Sequence, residues 1–206
     1  MIYTDKLNNI VQNIFNLIPG PVFGILSVII GLLGDFLAIL FFPDYNLSLM
    51  ISKLGIGPGG IFFNLGIILS GLFAMPFYVY FWRVLQNKKI NNYLLNGALS
   101  SALFSCVFFI LLGVFPSNDS ELTILYLHGI FSTLCFFSAL IYFILFNIVL
   151  LKSSKFLKLH TYIGFSQATI IILFLFTWNP ITEWLMTIGL IVWILSISVY
   201  MLYKQI

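Results

Sequence analysis

The chain is 206 residues long, 61% hydrophobic, 18% aromatic and only 7% charged, with a mean hydropathy of +1.11. That composition cannot clothe a soluble domain in an ordinary charged surface, so lipid is its solvent. The net charge of +3 comes from residues at joints between apolar segments. There is no basic patch with interleaved aromatics of the kind that binds nucleic acid.

From Thr4 to Leu17 the apolar residues Leu7, Ile10, Val11, Ile14 and Phe15 recur at three and four, while Lys6, Asn8, Asn9, Gln12, Asn13 and Asn16 take the other face. The pattern predicts a short amphipathic helix lying in the interface rather than a cleaved signal peptide. Six apolar segments then reach the length of about 20 residues needed to cross about 30 Å of hydrocarbon. They run over about 21–42, 59–82, 93–115, 122–151, 157–178 and 181–203. The expected fold is all-α: one polytopic bundle of six transmembrane helices over residues 1–206, the fourth helix being the longest.

Of the nine basic residues, Lys6, Arg83, Lys88, Lys89, Lys152, Lys155, Lys158 and Lys204 fall on one side, leaving Lys53 opposite. The positive-inside rule places both termini in the cytoplasm of a cell-membrane protein. The outer joints carry Asp44, Asp119, Glu121 and Glu183. Boundary residues agree with these spans: Pro21 suits the first turn of helix one, and Asn179-Pro180 reads as an N-cap followed by proline at the first helical position. Asn118 and Glu121 have capping-box spacing, and Asp119, Glu121 and Glu183 read as helix-start acids. Gly57-Pro58-Gly59-Gly60 reads as a tight turn before helix two. Trp82, Trp178 and Trp184 fall at helix ends as belt residues, Trp193 within helix six.

Polar groups recur inside the spans. Gly24, Ser27, Gly31, Gly34, Asp35 and Ala38 share a face of helix one that must meet another helix, because a carboxylate facing lipid costs a few kcal/mol even on lenient scales. Helix two carries Gly60, Asn64, Gly71, Ala74 and Tyr78 on one stripe. Helix four carries His128, Ser132, Cys135, Ala139 and Tyr142. Asp35 and His128 each lie roughly 10 Å below the outer boundary at 1.5 Å per residue. Asp35, Asn64, His128 and Ser132 are therefore expected to line an outward-opening pocket in the outer leaflet. Hydrogen-bonding glue between helices is the plainer role for the same groups. His160, at the cytoplasmic start of helix five, reads as an interfacial residue. Lys152, Lys155 and Lys158 are expected to attract anionic lipid head groups at about 1 kcal/mol each.

Cys106 and Cys135 sit in apolar runs as small hydrophobes. No Gly-x-Ser-x-Gly, Walker loop, His-Glu-x-x-His or Cys-x-x-Cys motif is present, so no catalytic residue, cofactor or metal is expected.

The segment from Ser52 to Gly71 contains Ser52, Leu54, Gly55, Phe63 and Asn64. It is followed by Gly113, Phe115 and Pro116 and then by His128. These positions resemble the prokaryotic six-helix membrane proteins catalogued as domain of unknown function 998, which are distantly similar to the DRAM and Sfk membrane proteins. The resemblance covers most of the chain and implies the six-helix fold. Its eukaryotic relatives are tied to lipid handling and membrane organisation. The first expectation is thus a non-enzymatic protein with membrane lipids as its partners. A proton-coupled transporter using Asp35 and His128 is the alternative. An intramembrane lipid hydrolase is disfavoured, since a catalytic zinc needs three protein ligands and the two histidines start helices on opposite sides. Nothing in the sequence sets an oligomeric state.

Overall fold

The computed structural model describes residues 12–87 and 90–206. Six long helices follow one another: α1 (Gly20–Leu40), α2 (Gly60–Leu85), α3 (Asn92–Val114), α4 (Leu122–Lys152), α5 (Lys158–Thr177) and α6 (Pro180–Lys204). Each is long and apolar enough to cross a bilayer, and among the described residues there is no strand. The chain is a multi-pass membrane protein. The helix termini lie within about three residues of the expected spans, the largest shift being the extension of α2 to Leu85. Helices satisfy every backbone group within the segment, as hydrocarbon requires.

A short 3-10 helix, η1 (Ile51–Ile56), was not anticipated from the sequence. It lies between α1 and α2 and defines one face of the molecule, here the η1 face. Arg83, Lys152, Lys155, Lys158 and Lys204 lie at the opposite, terminal face, where α2, α4 and α6 end and α5 begins. Lys88 and Lys89, and residues 4–11 of the expected amphipathic helix, lie outside the described residues. Residues 12–17 are helical. Phe15 rests against Phe23 and Tyr80 and under the Arg83 guanidinium, and Arg83 donates to Gln12 Oε1 at 3.2 Å.

Consecutive helices are neighbours, and α6 returns to α1, so the six form a closed ring. The tightest seam joins α1 to α2, where the small-residue stripe of α1 lands. A Cβ at Gly34 would meet Phe62 O at 2.8 Å and Gly66 Cα at 2.9 Å, backbone atoms that cannot turn aside. Ser27 Oγ donates to Ser70 O at 2.9 Å across the same seam. At the α3–α4 seam, Ser105 Oγ donates to Cys135 O at 3.1 Å and Cys135 Sγ donates to Ser105 O at 3.4 Å. Without a hydrophobic force between helices in lipid, such close approach and shared hydrogen bonds hold the ring together.

Two cap assignments divide. Asn179 Oδ1 accepts from Ile181 N at 2.9 Å with Pro180 at the first position of α6, as the sequence implies. The capping box at α4 does not form. Asn118 Oδ1 instead accepts from Ser120 N at 3.0 Å in a local turn, and Glu121 takes the N-cap position without a side-chain bond. An Asn two residues before an amide offers the shorter ring closure.

The half of the lumen toward the terminal face is filled by aromatics. Phe77, Phe81, Phe143, Phe146 and Trp193 are fully buried, and around them Tyr78 Oη donates to Tyr142 Oη at 2.9 Å. Phe81 meets Trp193 edge-on at 5.8 Å and Phe143 lies 4.7 Å from it. His160 starts α5 at the terminal face beside Lys158, as expected, but its ring is turned inward. It is only 4% exposed and sits against Phe156 and Tyr200.

Candidate functional site: a cavity in the ring

The other half of the lumen is hollow. A cavity of about 120 Å³ is lined by residues from all six helices and from η1, well above the roughly 10–15 Å³ that one water needs. From Glu183 to Ile194 along α6 it extends about 16 Å at 1.5 Å per residue, and His128 to Ala139 on α4 gives the same length. Polarity is graded along that axis. Asp35, Ser52, His128 and Glu183 lie toward the η1 face, whereas Val28, Ala139, Ile171 and Ile194 line the deeper end above the aromatic plug, where the hydroxyls of Ser27 and Ser70 are engaged with each other.

Asp35 is brought to the cavity by α1. Its neighbours Gly31 and Gly34 face α2, so the turn between them carries residues 32 and 35 toward α6 and the lumen. Asp35 is half-buried, and its carboxyl has no hydrogen-bond or ion-pair partner among the described residues. His128 comes from the second turn of α4. Its Nδ1 lies 2.7 Å from Phe115 O, and because a carbonyl can only accept, Nδ1 carries the proton and the lone pair of the neutral ring falls on Nε2. Ser132, one turn deeper, is buried on the same wall. The structure thus gathers Asp35, His128 and Ser132 around one cavity.

Asn64 is not with them. Its Nδ2 donates to Gly55 O at 3.0 Å, which ties α2 to η1, and Phe63 faces the cavity in its place. The resemblance-bearing positions explain themselves as this clasp. A Cβ at Gly55 would meet Asn64 Oδ1 at 2.7 Å and Pro116 Cβ at 3.3 Å, and one at Gly113 would meet Asn64 O at 2.6 Å. Gly55, Asn64, Gly113 and Pro116 close around one another, and Ser52, Phe63 and His128 turn from that knot to the cavity wall.

Glu183 is the cavity residue that the sequence reading gave only a helix-start role. It does occupy the first turn of α6, but its side chain turns inward, is only 5% exposed, and Oε2 accepts from Ile51 N at 2.7 Å with Ser52 also bonded to it. A carboxylate here satisfies the orphan amides that open η1. Lys53 turns the other way. Its Nζ binds both Asp119 oxygens, at 2.7 and 2.6 Å, so η1 is also strapped to the α3–α4 joint. Tyr45 roofs this corner against Trp184, where burial, with the nearby Glu183 carboxyl, pushes its phenol above the usual range.

Lys152 and Lys158 are exposed at the terminal face, and Lys155 Nζ donates to Val84 O at 2.8 Å, capping the last carbonyls of α2. His160 belongs to the terminal end of α5 and does not reach the cavity.

A family model described as a protein of unknown function, DUF998, matches residues 25–202. The chain belongs to the DUF998 family. No curated protein and no solved structure matches the chain. The residues of this DUF998 chain that form the clasp and the whole cavity wall lie inside the matched span.

Proposed function

We propose that this DUF998 protein is a non-enzymatic lipid-binding protein of the cell membrane, whose ring holds one amphiphile in the outer leaflet. The observation that carries the reading is Asp35, a carboxyl within a membrane span with no partner among the described residues, opening onto a cavity whose ionisable groups gather at one end and whose other end is mainly apolar. An ionisable group in a span is retained at a cost of a few kcal/mol, which a bound head group offsets. Access is from the side. Leu32 lines the cavity yet is 44% exposed on the lipid face of α1, so the wall between α1 and α6 is one side chain thick.

The cation distribution supports a cytoplasmic terminal face with η1 outside, where exposed Lys152 and Lys158 would meet anionic head groups of the inner leaflet. A proton-coupled carrier using Asp35 and His128 is the competing activity, and it would require the buried plug around Trp193 to open in a second conformation.

Native mass spectrometry of the protein extracted in maltoside micelles tests the reading. One retained lipid is expected on the wild type and none on Leu32→Trp, which fills the wall and cavity. Wild type emerging bare, or equal retention by Leu32→Trp, overturns it.

A further inference from the structure

The polar end of the cavity is unequal in its chemistry. Asp35 presents a carboxyl without a partner among the described residues, Glu183 presents a second one whose amide contacts engage one side, and His128 has its proton committed to Phe115 O, leaving an acceptor on Nε2. No Lys or Arg among the described residues lines the cavity. Lys53, on η1 beside it, is held by Asp119 through both carboxylate oxygens. Thr187, also on the wall, spends its hydroxyl proton on Glu183 O at 3.0 Å. Ser52 is bonded to Glu183, and Ser132 adds a hydroxyl one turn below His128. The end that would receive a head group thus sets two carboxyls and an imidazole acceptor against hydroxyls alone. An anionic head would face two carboxyls with nothing to neutralise it. A neutral hydroxyl head would give the Asp35 carboxylate one hydrogen bond and no opposite charge, whereas a cation supplies both.

Resting on the amphiphile-binding reading above, we infer that the ligand is a single-chain amphiphile with a primary ammonium head, seated on the Asp35 carboxylate with His128 Nε2 as a second acceptor. A compact ammonium supplies three donors and no acceptor, the complement of this wall. A cavity of about 120 Å³ is of the class that admits a benzene-sized guest, so it seats the head and the first few methylenes of one chain and has no room for a second.

The experiment uses the full chain in maltoside micelles, with dodecylamine, dodecanol and dodecanoate titrated separately and bound probe read by native mass spectrometry. Dodecylamine is expected to bind saturably, about tenfold or more tighter than the other two, since a hydrogen-bonded charge pair is worth at least that factor. Asp35→Asn should bring dodecylamine to the level of dodecanol and leave dodecanol unchanged, while Asp35→Glu should keep the preference. Equal binding of all three probes to the wild type, or an equal loss of all three in Asp35→Asn, overturns the ammonium head and leaves the pocket standing. Absence of saturable binding by any probe overturns the pocket and the head together. The wild-type comparison needs no variant, so a poorly folding Asp35→Asn does not shelter the inference.

Discussion

Glu183 and Ile51 are 132 positions apart in the chain, and the carboxylate of one accepts the backbone amide of the other at 2.7 Å inside the protein. This bond fastens η1 over the mouth of the cavity. Removing the acceptor leaves buried amides unsatisfied, which costs about 1–3 kcal/mol. Glu183→Ala should therefore accelerate hydrogen exchange at Ile51 and Ser52 by about tenfold or more, read by exchange mass spectrometry, with smaller changes in α3. Glu183→Gln keeps an acceptor oxygen and should fall between the two. Unchanged exchange in Glu183→Ala would mean that Lys53–Asp119 and Asn64–Gly55 hold η1 without it.

The α1–α2 seam makes a second, steric prediction. A side chain at Gly34 meets backbone of α2 within 2.9 Å, whereas a Cβ at Gly129 meets nothing within 4 Å. The same substitution should thus have opposite consequences at the two sites. Gly34→Val is expected to destabilise the fold by about 1–3 kcal/mol through overpacking, and Gly129→Val to stay within about 0.5 kcal/mol. Reversible unfolding in mixed micelles measures both. Equal losses would show that the seam is looser than the backbone contact implies.

Much of this architecture is legible in the sequence, and the failures have physical causes. Span length and hydropathy decide the six helices because hydrocarbon thickness is a fixed ruler. The stripe from Gly24 to Ala38 is readable because only small residues let backbones touch. η1 is not readable, since six residues containing a glycine have no periodicity to detect. Glu183 was assigned to the helix start because an acid in the first turn is favoured whatever its side chain does. The sign of its burial lies further on, as Glu183 shares a stripe with Met186, Trp193 and Ile197, all buried. Asn64 looked like a cavity residue because it lies among small residues, yet its partner, Gly55 O, sits nine positions back, where a local carbonyl competes with any distant ligand.

The plug supplies a coupling test. Tyr78 and Tyr142 share one hydrogen bond, fully buried among aromatics. Interhelical hydrogen bonds in membranes average about 0.6 kcal/mol and reach about 1.7. A double-mutant cycle of Tyr78→Phe and Tyr142→Phe should return a coupling in the upper part of that range, since neither phenol has another partner described here. Additive losses within about 0.3 kcal/mol would mean that packing alone closes the lumen.

Orientation is open to a direct test because the native thiols are silent. Cys106 and Cys135 are buried within α3 and α4, so an impermeant maleimide reports only an introduced cysteine. Ser120 lies exposed on the η1 face beside Asp119, and Ser154 lies exposed on the terminal face between Lys152 and Lys155. The translocon retains Lys and Arg in short loops on the cytoplasmic side, and Arg83, Lys152, Lys155, Lys158 and Lys204 share the terminal face against Lys53 alone on the other among the described residues. Ser120→Cys should therefore label on intact cells, and Ser154→Cys only after permeabilisation. The reverse pattern would place the cavity mouth in the cytoplasmic leaflet, and the amphiphile would then have to be sought among inner-leaflet lipids.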